Sequence, residues 1–598
     1  MGVLLRGSGA AWVFALSVAA GASPGAEESS DLGTGVPPDA GIYFHHRVAA
    51  GGRFAGVWSR VLEAVRDSGC FRELAGAALD LVDIEAAAIE WSGLPVPANF
   101  ARRTRRLVKR EAWLELLSRV DWLSAVASEM AAGARWEGDR ADLLVLARLP
   151  SGRGGETGEA LRRLAYAVAS LSPAIEIVES WSEREKTLVL GTSSGSPGAC
   201  FAVRGDVLAV STNPSLLRRS LQLLSGEASE LGYAGAPERS EALSSLPLES
   251  GGGAEGEFEL HVRPSRIRIP GVDLGEFGPL VAAGRASGEE LRCAFRLAGG
   301  ARAAGPALPL GEGGRAPGGA VPAGADSFEL SAGWGPEALG GLPGALERKA
   351  VESLEAASAA GFLGEASTRK CLDVLELLSG LSSATRGRRA YVASPRGAAL
   401  VLELAEGDSA GRRAEELLSR LEGALGVRPL AAGAGVPAPP PGYRWLETAE
   451  AGAWLGTERL LAGASSDRLA LATSPGALED ALGLRGARFS LGELGELAGV
   501  RALPEGAEPV AVRSSDRPRF LDAARLLLAL AGREPEGGEG EKVRDALGAL
   551  PRLGALVRDL DFLGRERSCV VRDGTSLLGV GRWSFRARGS RPPGERNF

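Results

Sequence analysis

The stretch that decides the fold is residues 201–224, FAVRGDVLAVSTNPSLLRRSLQLL. Its apolar run at 207–210 has the length of a β-strand and is too short for a helix. Asn213 then offers a side-chain oxygen to the free N–H groups of a helix whose first residue is Pro214. Leucines follow at helical spacing and are expected to face the core, namely Leu217, Leu221 and Leu224. The stretch therefore predicts a strand, a tight turn and a capped helix.

A second copy of this stretch occurs at residues 466–482, SDRLALATSPGALEDAL. The offset is 467 − 206 = 261, and the residues shared at that offset are Asp206, Leu208, Ala209, Thr212, Pro214, Leu217 and Leu221. In the copy, Ser474 takes the place of the cap, and Leu478 and Leu482 are expected to be buried. An apolar strand at 144 also recurs at 400, an offset of 400 − 144 = 256. The recurrence predicts an internal duplication with the same strand order in both halves and a period of roughly 265 residues, far too long for a solenoid.

Length and composition limit the class of protein. A chain of 598 residues is too long for one ordinary core, so two or more domains are expected. The apolar content of 45% is typical of a globular protein. A formal net charge of −7 gives no general attraction to nucleic acid, so no nucleic-acid partner is expected.

The N-terminus has the pattern of an export signal. Arg6 precedes an apolar core at residues 10–20, and Ala20-Gly21-Ala22 fits the small-residue pattern of a cleavage site. The apolar core is too short to span a bilayer comfortably, so cleavage after Ala22 or Ala26 is predicted, with a retained anchor as the alternative. The expected location is extracytoplasmic, either periplasmic or secreted.

The predicted fold class is α+β, with two tandem similar domains, each an antiparallel or mixed sheet with helices packed against it. A Gly/Ala/Pro-rich stretch without hydrophobic periodicity separates the halves. The expected segments are a signal peptide at 1–26, a leader at 27–36, a first repeat domain at 37–299, a linker at 300–320, a second repeat domain at 321–587 and a polar tail at 588–598.

The motif order resembles a known family. A Pro-x-x-Ala-x-x-Tyr/Phe entry strand is followed by helices, a Leu-Val-Leu strand and the turn GDVLAVSTNP at 205–214. This pattern is similar to the bacterial exported family catalogued as domain of unknown function 3352. The second half is a looser copy, with Ser466 in place of Gly205 and Ala472 in place of Ser211. The resemblance implies architecture and export, and it implies no reaction.

Motifs for metal and cofactor chemistry are missing from the sequence. The three histidines are His45, His46 and His261, and neither an HExxH motif nor a CxxC pair occurs, so no metal site and no cofactor are predicted. His45 and His46 are adjacent on a predicted strand and should point to opposite faces. The five scattered cysteines are compatible either with one or two disulfides in an exported protein or with isolated buried thiols: Cys70, Cys200, Cys293, Cys371 and Cys569.

Two sequence matches to enzyme motifs lack the required context. Residues 191–195, GTSSG, match the G-x-S-x-G pattern around Ser193, but no helix is predicted directly after it, and His261 is the only histidine downstream. A flexible hairpin loop is therefore the preferred interpretation. Residues 251–256 match G-x-G-x-x-G by letters, yet they precede a strand instead of opening a helix. No catalytic residues are assigned.

One basic stripe remains as a candidate binding feature. Residues 102–110 contain six cations within nine residues, and three of them share a helix face: Arg102, Arg106 and Lys109. Either the stripe is a solvated face paired with nearby glutamates, or it contacts an anionic envelope polymer or lipid head group. The sequence thus favours an exported, non-catalytic envelope protein that binds or scaffolds an unknown envelope component. The alternative is an exported hydrolase that uses Ser193 or carboxylates.

Overall fold

The computed structural model describes a large part of the chain. The described residues are 31–49, 53–67, 128–138, 140–169, 175–181, 185–192, 197–248, 256–268, 278–303, 327–331, 385–404, 410–425, 428–430, 437–447, 459–465, 467–485, 489–500, 503–516 and 563–585, with single positions at 308, 325, 351, 355, 369 and 372. They form two compact units: 31–268 with 279–291 make up the first, and 278, 292–516 and 563–585 make up the second.

The first unit is built on an antiparallel sheet. Its strands are β1 Ile42–Val48, β2 Glu129–Glu137, β3 Arg140–Arg148, β4 Ile175–Trp181, β5 Glu185–Thr192, β6 Pro197–Arg204, β7 Val207–Ser211, β8 Gly256–Val262 and β9 Leu280–Ser287. They pair in the order β4-β5-β6-β7-β3-β2-β1-β8-β9. Every one of these pairings is antiparallel.

Helices cover both faces of this sheet. They are α1 Arg53–Asp67, α2 Gly154–Ala169, α3 Pro214–Ser225 and α4 Pro237–Ser244. Leu161 of α2 packs in one core cluster with Leu208 of β7. Leu217 of α3 packs in another cluster with Leu146 of β3, on the opposite face. Because strand side chains alternate between faces, one sheet supplies both cores.

The second unit contains strands β10 Glu290–Leu297, β11 Ser327–Ser331, β12 Thr385–Ser394, β13 Gly397–Leu404, β14 Arg428–Pro429, β15 Tyr443–Glu447, β16 Arg459–Ala464, β17 Arg468–Ala472, β18 Glu508–Ser515, β19 Arg565–Asp573 and β20 Ser576–Ser584. The paired order is β14-β15-β16-β17-β13-β12-β11-β18-β19-β20, again antiparallel throughout. Over nine strands this order repeats that of the first unit, strand for strand. The predicted α+β class is confirmed.

The helices of the second unit are α5 Ala410–Leu425, α6 Pro475–Arg485 and α7 Leu491–Ala498. Helix α5 has the 16-residue length of α2, and its first residue follows that of α2 by 410 − 154 = 256 positions. Leu418 of α5 packs with Leu469 of β17, as Leu161 of α2 packs with Leu208 of β7.

The threonine of the repeated turn makes the same bond to the neighbouring strand in both units. The Thr212 hydroxyl accepts from Leu143 N at 2.9 Å, and the Thr473 hydroxyl accepts from Ala398 N at 2.9 Å. The predicted caps are present, because Asn213 Oδ1 accepts from Ser215 N at 2.9 Å and Ser474 Oγ accepts from Ala477 N at 3.0 Å. The shared Thr-x-Pro frame therefore fixes a turn against the neighbouring strand.

The leucine faces agree except at one position. Leu217, Leu221 and Leu478 are 2%, 4% and 3% exposed, but Leu482 is only half-buried, and Leu484 is fully buried instead. None of the described helices is long and apolar enough to cross a membrane.

Candidate functional site

A group of charged side chains lies on the α3-facing side of the first sheet, inside an otherwise apolar layer. His45 of β1, Glu129 of β2 and Arg148 of β3 are 5%, 4% and 6% exposed. The pairing registers place all three on one face, because Arg47 lies opposite Glu129 and Ala131 lies opposite both His45 and Leu146. Buried charges need partners, so their contacts decide what the group can do.

Glu129 is the centre of this group. Its Oε1 accepts from the backbone N–H of Leu32 at 2.7 Å and lies 3.2 Å from His45 Nε2. Its Oε2 accepts from Arg148 Nε at 2.8 Å, and Arg148 Nη1 in turn donates to Asp206 at 3.1 Å. Burial alone would raise the pKa of Glu129, but the bonds from His45 and Leu32 and the charge of Arg148 outweigh it and lower the pKa to about 2. Glu129 is therefore a carboxylate at neutral pH.

The chain segment before β1 covers the group. Asp31 caps a 3-10 turn, Leu32–Gly35, by accepting from Gly33 N at 2.7 Å, and Asp31 Oδ1 lies 3.4 Å from His45 Nε2. Leu32 and Val36 are both fully buried in the core cluster beneath α3. This segment is thus part of the core, and it brings Asp31 to the buried charges.

Further bonds fix the same segment along its length. Tyr233 N donates to Val36 O at 2.7 Å, and Arg263 donates to the carbonyls of Pro38 and Ala40. Arg219 of α3 contacts both carboxylate oxygens of Asp39, at 2.9 and 3.1 Å. Three parts of the unit therefore hold this segment: the sheet, helix α3 and the 3-10 turn Tyr233–Gly235.

An aromatic group continues the polar layer toward β8. Tyr43 stacks on Tyr233 at 4.4 Å between ring centroids, and Tyr233 Oη lies 3.2 Å from His261 Nδ1. Among the described residues, Tyr43 Oη has no hydrogen-bond partner, although Tyr43 is 1% exposed. Burial lowers the pKa of His261 to about 4, so its imidazole is neutral at pH 7.

Next to the aromatic group lies a closed ion pair. Arg239 donates to the carboxylate of Glu259 from Nη2 at 2.7 Å and from Nε at 2.8 Å. Its Nη1 donates to Ala234 O at 2.9 Å. Since this pair neutralises itself, it adds no net charge to the layer.

Three ligand atoms in this layer are close enough to hold a cation. One atom each from Asp31, His45 and Glu129 lie within 4.8 Å of one another. Carboxylate oxygen and imidazole nitrogen are a donor set that suits zinc and related divalent ions.

The structure describes the histidines and three of the cysteines singled out in the sequence as candidate site residues, and the other candidates lie outside its described part. His45 and His46 lie on opposite faces as predicted, with His46 stacked on Phe258 at 5.9 Å. Cys200, Cys293 and Cys569 are free thiols, and burial raises the pKa of each to about 12. Residues that lie outside the described part of the chain are Arg102, Arg106, Lys109, Ser193, Cys70 and Cys371.

The grouping around Glu129 was missed by the sequence analysis. Glu129 and His45 are 84 positions apart, and no motif links them. The available signal was weak: polar residues stand in apolar strand patterns at His45, Glu129 and Arg148.

Comparisons with known proteins assign no family. No family model and no curated protein matches the chain. The solved structure described as crystal form III of TP0453 has a TM-score of 0.21 and 12% identity, covering 45% of this chain and 80% of that chain. Crystal form IV of TP0453 has a TM-score of 0.21 and 10% identity, covering 45% and 81%. Similarity at this level carries no argument about function.

Proposed function

We propose that this chain is an exported, non-catalytic bacterial envelope protein that binds or scaffolds another envelope component. The observation that carries the proposal is the segment after the export-type leader, in which Leu32 and Val36 are fully buried in the core. Cleavage after Ala22 or Ala26 would keep this whole segment and leave the core of the first unit complete. An extracytoplasmic location, periplasmic or secreted, follows from the same leader pattern.

The described histidines support a binding role over the hydrolase alternative. His261 is the only histidine downstream of Ser193 in the chain, it is 3% exposed, and burial lowers its pKa to about 4. A general base is most effective when its pKa is near the working pH. His261 is therefore a poor base for a serine nucleophile at neutral pH.

The tandem duplication and the resemblance to the exported family are part of the same proposal. Three observations support the duplication: the repeated order of nine strands, the shared turn bonds of Thr212 and Thr473, and two helices of equal length at an offset of 256. The resemblance implies architecture and export without implying a reaction, which agrees with a non-catalytic role.

The proposal is tested by expressing the full precursor in a Gram-negative host. Intact-mass analysis of the extracytoplasmic fraction should show cleavage after Ala22 or Ala26, and a mature chain that still contains Trp12 contradicts it. Photo-crosslinking in the intact envelope should then give a discrete adduct. Esterase activity that disappears in Ser193→Ala would instead establish the hydrolase.

The basic stripe offers a separate test of envelope contact. If Arg102, Arg106 and Lys109 contact anionic head groups, their replacement by Gln should abolish retention on anionic vesicles. Retention by the unchanged chain should fall with salt, since exposed charges are screened over about 8 Å at physiological ionic strength. The matched control replaces Arg103, Arg105 and Arg110 by Gln and should retain most binding. Equal loss in both triple variants would show a non-specific charge effect.

A further inference from the structure

The spacing of three side chains matches the needs of a small divalent cation. His45 Nε2 lies 3.4 Å from Asp31 Oδ1 and 3.2 Å from Glu129 Oε1. Zinc bonds of about 2.0–2.2 Å at tetrahedral angles place ligand atoms about 3.3–3.6 Å apart. Only the separation between the two carboxylates, at most 4.8 Å, has to shorten. A rotation of the Asp31 carboxylate, whose side chain is 36% exposed, would shorten this separation.

The local charge balance also favours a cation. The carboxylates of Asp31 and Glu129 lie 3.4 and 3.2 Å from His45 Nε2, and the guanidinium of Arg148 pairs with Glu129. The two carboxylates of the proposed set and this one guanidinium leave a formal excess of one negative charge. Buried charge is costly unless it is compensated, and a divalent ion supplies that compensation.

A third and independent observation is the unpaired hydroxyl of Tyr43. It has no hydrogen-bond partner among the described residues, and Tyr43 is 1% exposed. A methyl group added at Gly33 would overlap this hydroxyl and lie 2.9 Å from Asp31 Oδ1, so both oxygens face the same small space. A water molecule bound to a cation beside Asp31 would give Tyr43 the partner that it lacks.

We propose that Asp31, His45 and Glu129 form a zinc site that closes the N-terminal segment onto the sheet. His45 binds through Nε2, which requires the neutral tautomer with its proton on Nδ1. Glu129 binds through Oε1 alone, because Arg148 fixes Oε2 and sets the orientation of the carboxylate. Asp31 completes the set from the solvent side and provides the path of entry. This inference goes beyond the proposed envelope role and does not depend on it.

The first test is a calorimetric titration of the mature chain with Zn²⁺ after treatment with a chelator. The protein must lack a polyhistidine tag, because the chain itself has only three histidines. One Zn²⁺ per chain is expected, and Asp31→Asn should weaken binding by about 10-fold or more. Asn keeps the oxygen that caps the 3-10 turn, so this variant removes the charge without removing the cap. Mg²⁺ and Ca²⁺ should bind far more weakly, since both prefer all-oxygen sites.

Asp206→Asn is the matched control. It also removes one carboxylate that contacts the Arg148 network, yet Asp206 is not a proposed ligand, so Zn²⁺ affinity should change by less than about 3-fold. Equal weakening by Asp31→Asn and Asp206→Asn would overturn the site in favour of general charge attraction. Failure of the unchanged chain to bind Zn²⁺ would overturn it as well.

A second measurement identifies the ligand directly. Spectra of the chain labelled with ¹⁵N in histidine contain three imidazoles, and Zn²⁺ should shift one of them, assigned by its loss in His45→Gln. A shift confined to His46 or His261 contradicts the proposal. The shift itself is read in the unchanged chain, and His46→Gln and His261→Gln give the same assignment by elimination, so the result does not depend on whether a ligand variant folds.

Discussion

The two units treat the same sheet positions in opposite ways. A row of directly paired residues crosses five strands of the first unit: Ala209, Leu146, Ala131, His45 and Glu259. The row at the same place in the second unit is Ala470, Val401, Ala390, Leu330 and Val512. The repeated turn aligns the two rows, since 470 − 209 = 261. A histidine and a glutamate therefore stand where the second unit has a leucine and a valine.

The adjacent row differs in the same direction. Tyr43 pairs with His261 in the first unit, whereas Phe328 pairs with Ser514 in the second. Leu330 and Val512 are both 1% exposed, so this strand order is compatible with an apolar layer. Buried ion pairs are often no better for stability than well-packed apolar residues. The proposed zinc site would give the polar layer of the first unit a role beyond stability.

The ion pairs of the two repeated turns share an aspartate but differ in their cations. Asp206 pairs with Arg148 on β3 at 3.1 Å. Asp467 occupies the same place in the second turn, and it pairs with Arg468 of β17 at 3.0 Å and with Arg485 at the end of α6 at 3.2 Å. Glu403 lies where the first unit has Arg148, because Arg148 pairs with Val207 and Glu403 pairs with Arg468. The offset between β3 and β13 is therefore 403 − 148 = 255, and the expected offset of 256 for this strand was wrong by one residue. Glu403 also contacts Arg485. The aspartate is common to both turns, but in the second unit a helix residue, Arg485, contributes one of its two cations.

The largest expected effect is the loss of Glu129. Glu129→Ala leaves Arg148 without its buried carboxylate and Leu32 N–H without an acceptor, so the first unit should lose about 3–5 kcal/mol. Urea unfolding followed by hydrogen exchange of β1–β3 peptides, in the presence of a chelator, measures the change in this unit alone. A loss below about 1 kcal/mol would show that the network adds little.

Glu403→Ala is the corresponding change in the second unit. Arg485 keeps Asp467 as a partner after this substitution, so the expected loss is about 1 kcal/mol or less. Similar losses for Glu129→Ala and Glu403→Ala would show that the buried Glu129 network stabilises its unit no more than the half-buried Glu403–Arg485 pair does.

The leucines of α3 and α6 give the next largest effects. Leu217→Ala and Leu478→Ala should each cost about 2–5 kcal/mol, because both leucines are buried in a core. Leu221→Ala should fall in the same range, but Leu482→Ala should cost only about 1 kcal/mol, since Leu482 is half-buried. Hydrogen exchange of peptides from each unit measures all four variants. A large loss for Leu482→Ala would restore the equivalence of the two leucine faces.

Local pattern was enough to predict the repeated element and not enough to predict the site. The strand at 207–210, the caps at Asn213 and Ser474 and the helices after them follow from periodicity and capping chemistry, which act over a few residues. Ala477, Leu478, Ala481 and Leu484 form the buried stripe of α6, and its two alanines gave no hydrophobic signal. The exact edge of a helix face depends on the neighbour that packs on it.

The burial of the segment that lies over the site could not be predicted from the sequence either. The segment Leu32–Gly35 was treated as part of a leader because LGTG carries no helical or strand period. Its burial arises from distant partners, namely Glu129, Tyr233 and α3. The grouping of Asp31, His45 and Glu129 depends on a strand pairing between residues far apart in the chain, and one sequence without an alignment does not reveal such pairings.

A pH titration compares His261 with the serine at the same place in the second unit. Burial lowers the pKa of His261 from 6.5 to about 4, with Arg239 and Arg263 adding to this effect and Glu259 opposing it. The unfolded chain therefore binds a proton at higher pH than the folded chain does. The first unit should be unaffected above about pH 6.5 and should lose on the order of 3 kcal/mol as the pH falls toward 4.

The variant His261→Leu isolates this contribution. It removes the titrating group, so the difference in unfolding free energy between the unchanged chain and the variant should vary between pH 6.5 and 4. Peptides of the second unit serve as an internal control, because Ser514 does not titrate. Parallel pH profiles for the unchanged chain and His261→Leu would contradict the assignment.

The smallest expected effects concern the two caps. Ser474→Ala removes one acceptor for the first turn of α6 and should cost about 1 kcal/mol. Asn213→Ala should cost more, because Asn213 Nδ2 also donates to Asp142 Oδ2 at 2.7 Å, and Asp142 is 1% exposed. Asn213→Ser separates the two roles, since serine keeps a capping oxygen but is too short to replace the amide that reaches Asp142. If Asn213→Ser is as stable as the unchanged chain, the caps are interchangeable and the first turn depends on Asn213 only as a cap. If it is as costly as Asn213→Ala, the bond to Asp142 dominates, and the two turns differ in how they are joined to the sheet.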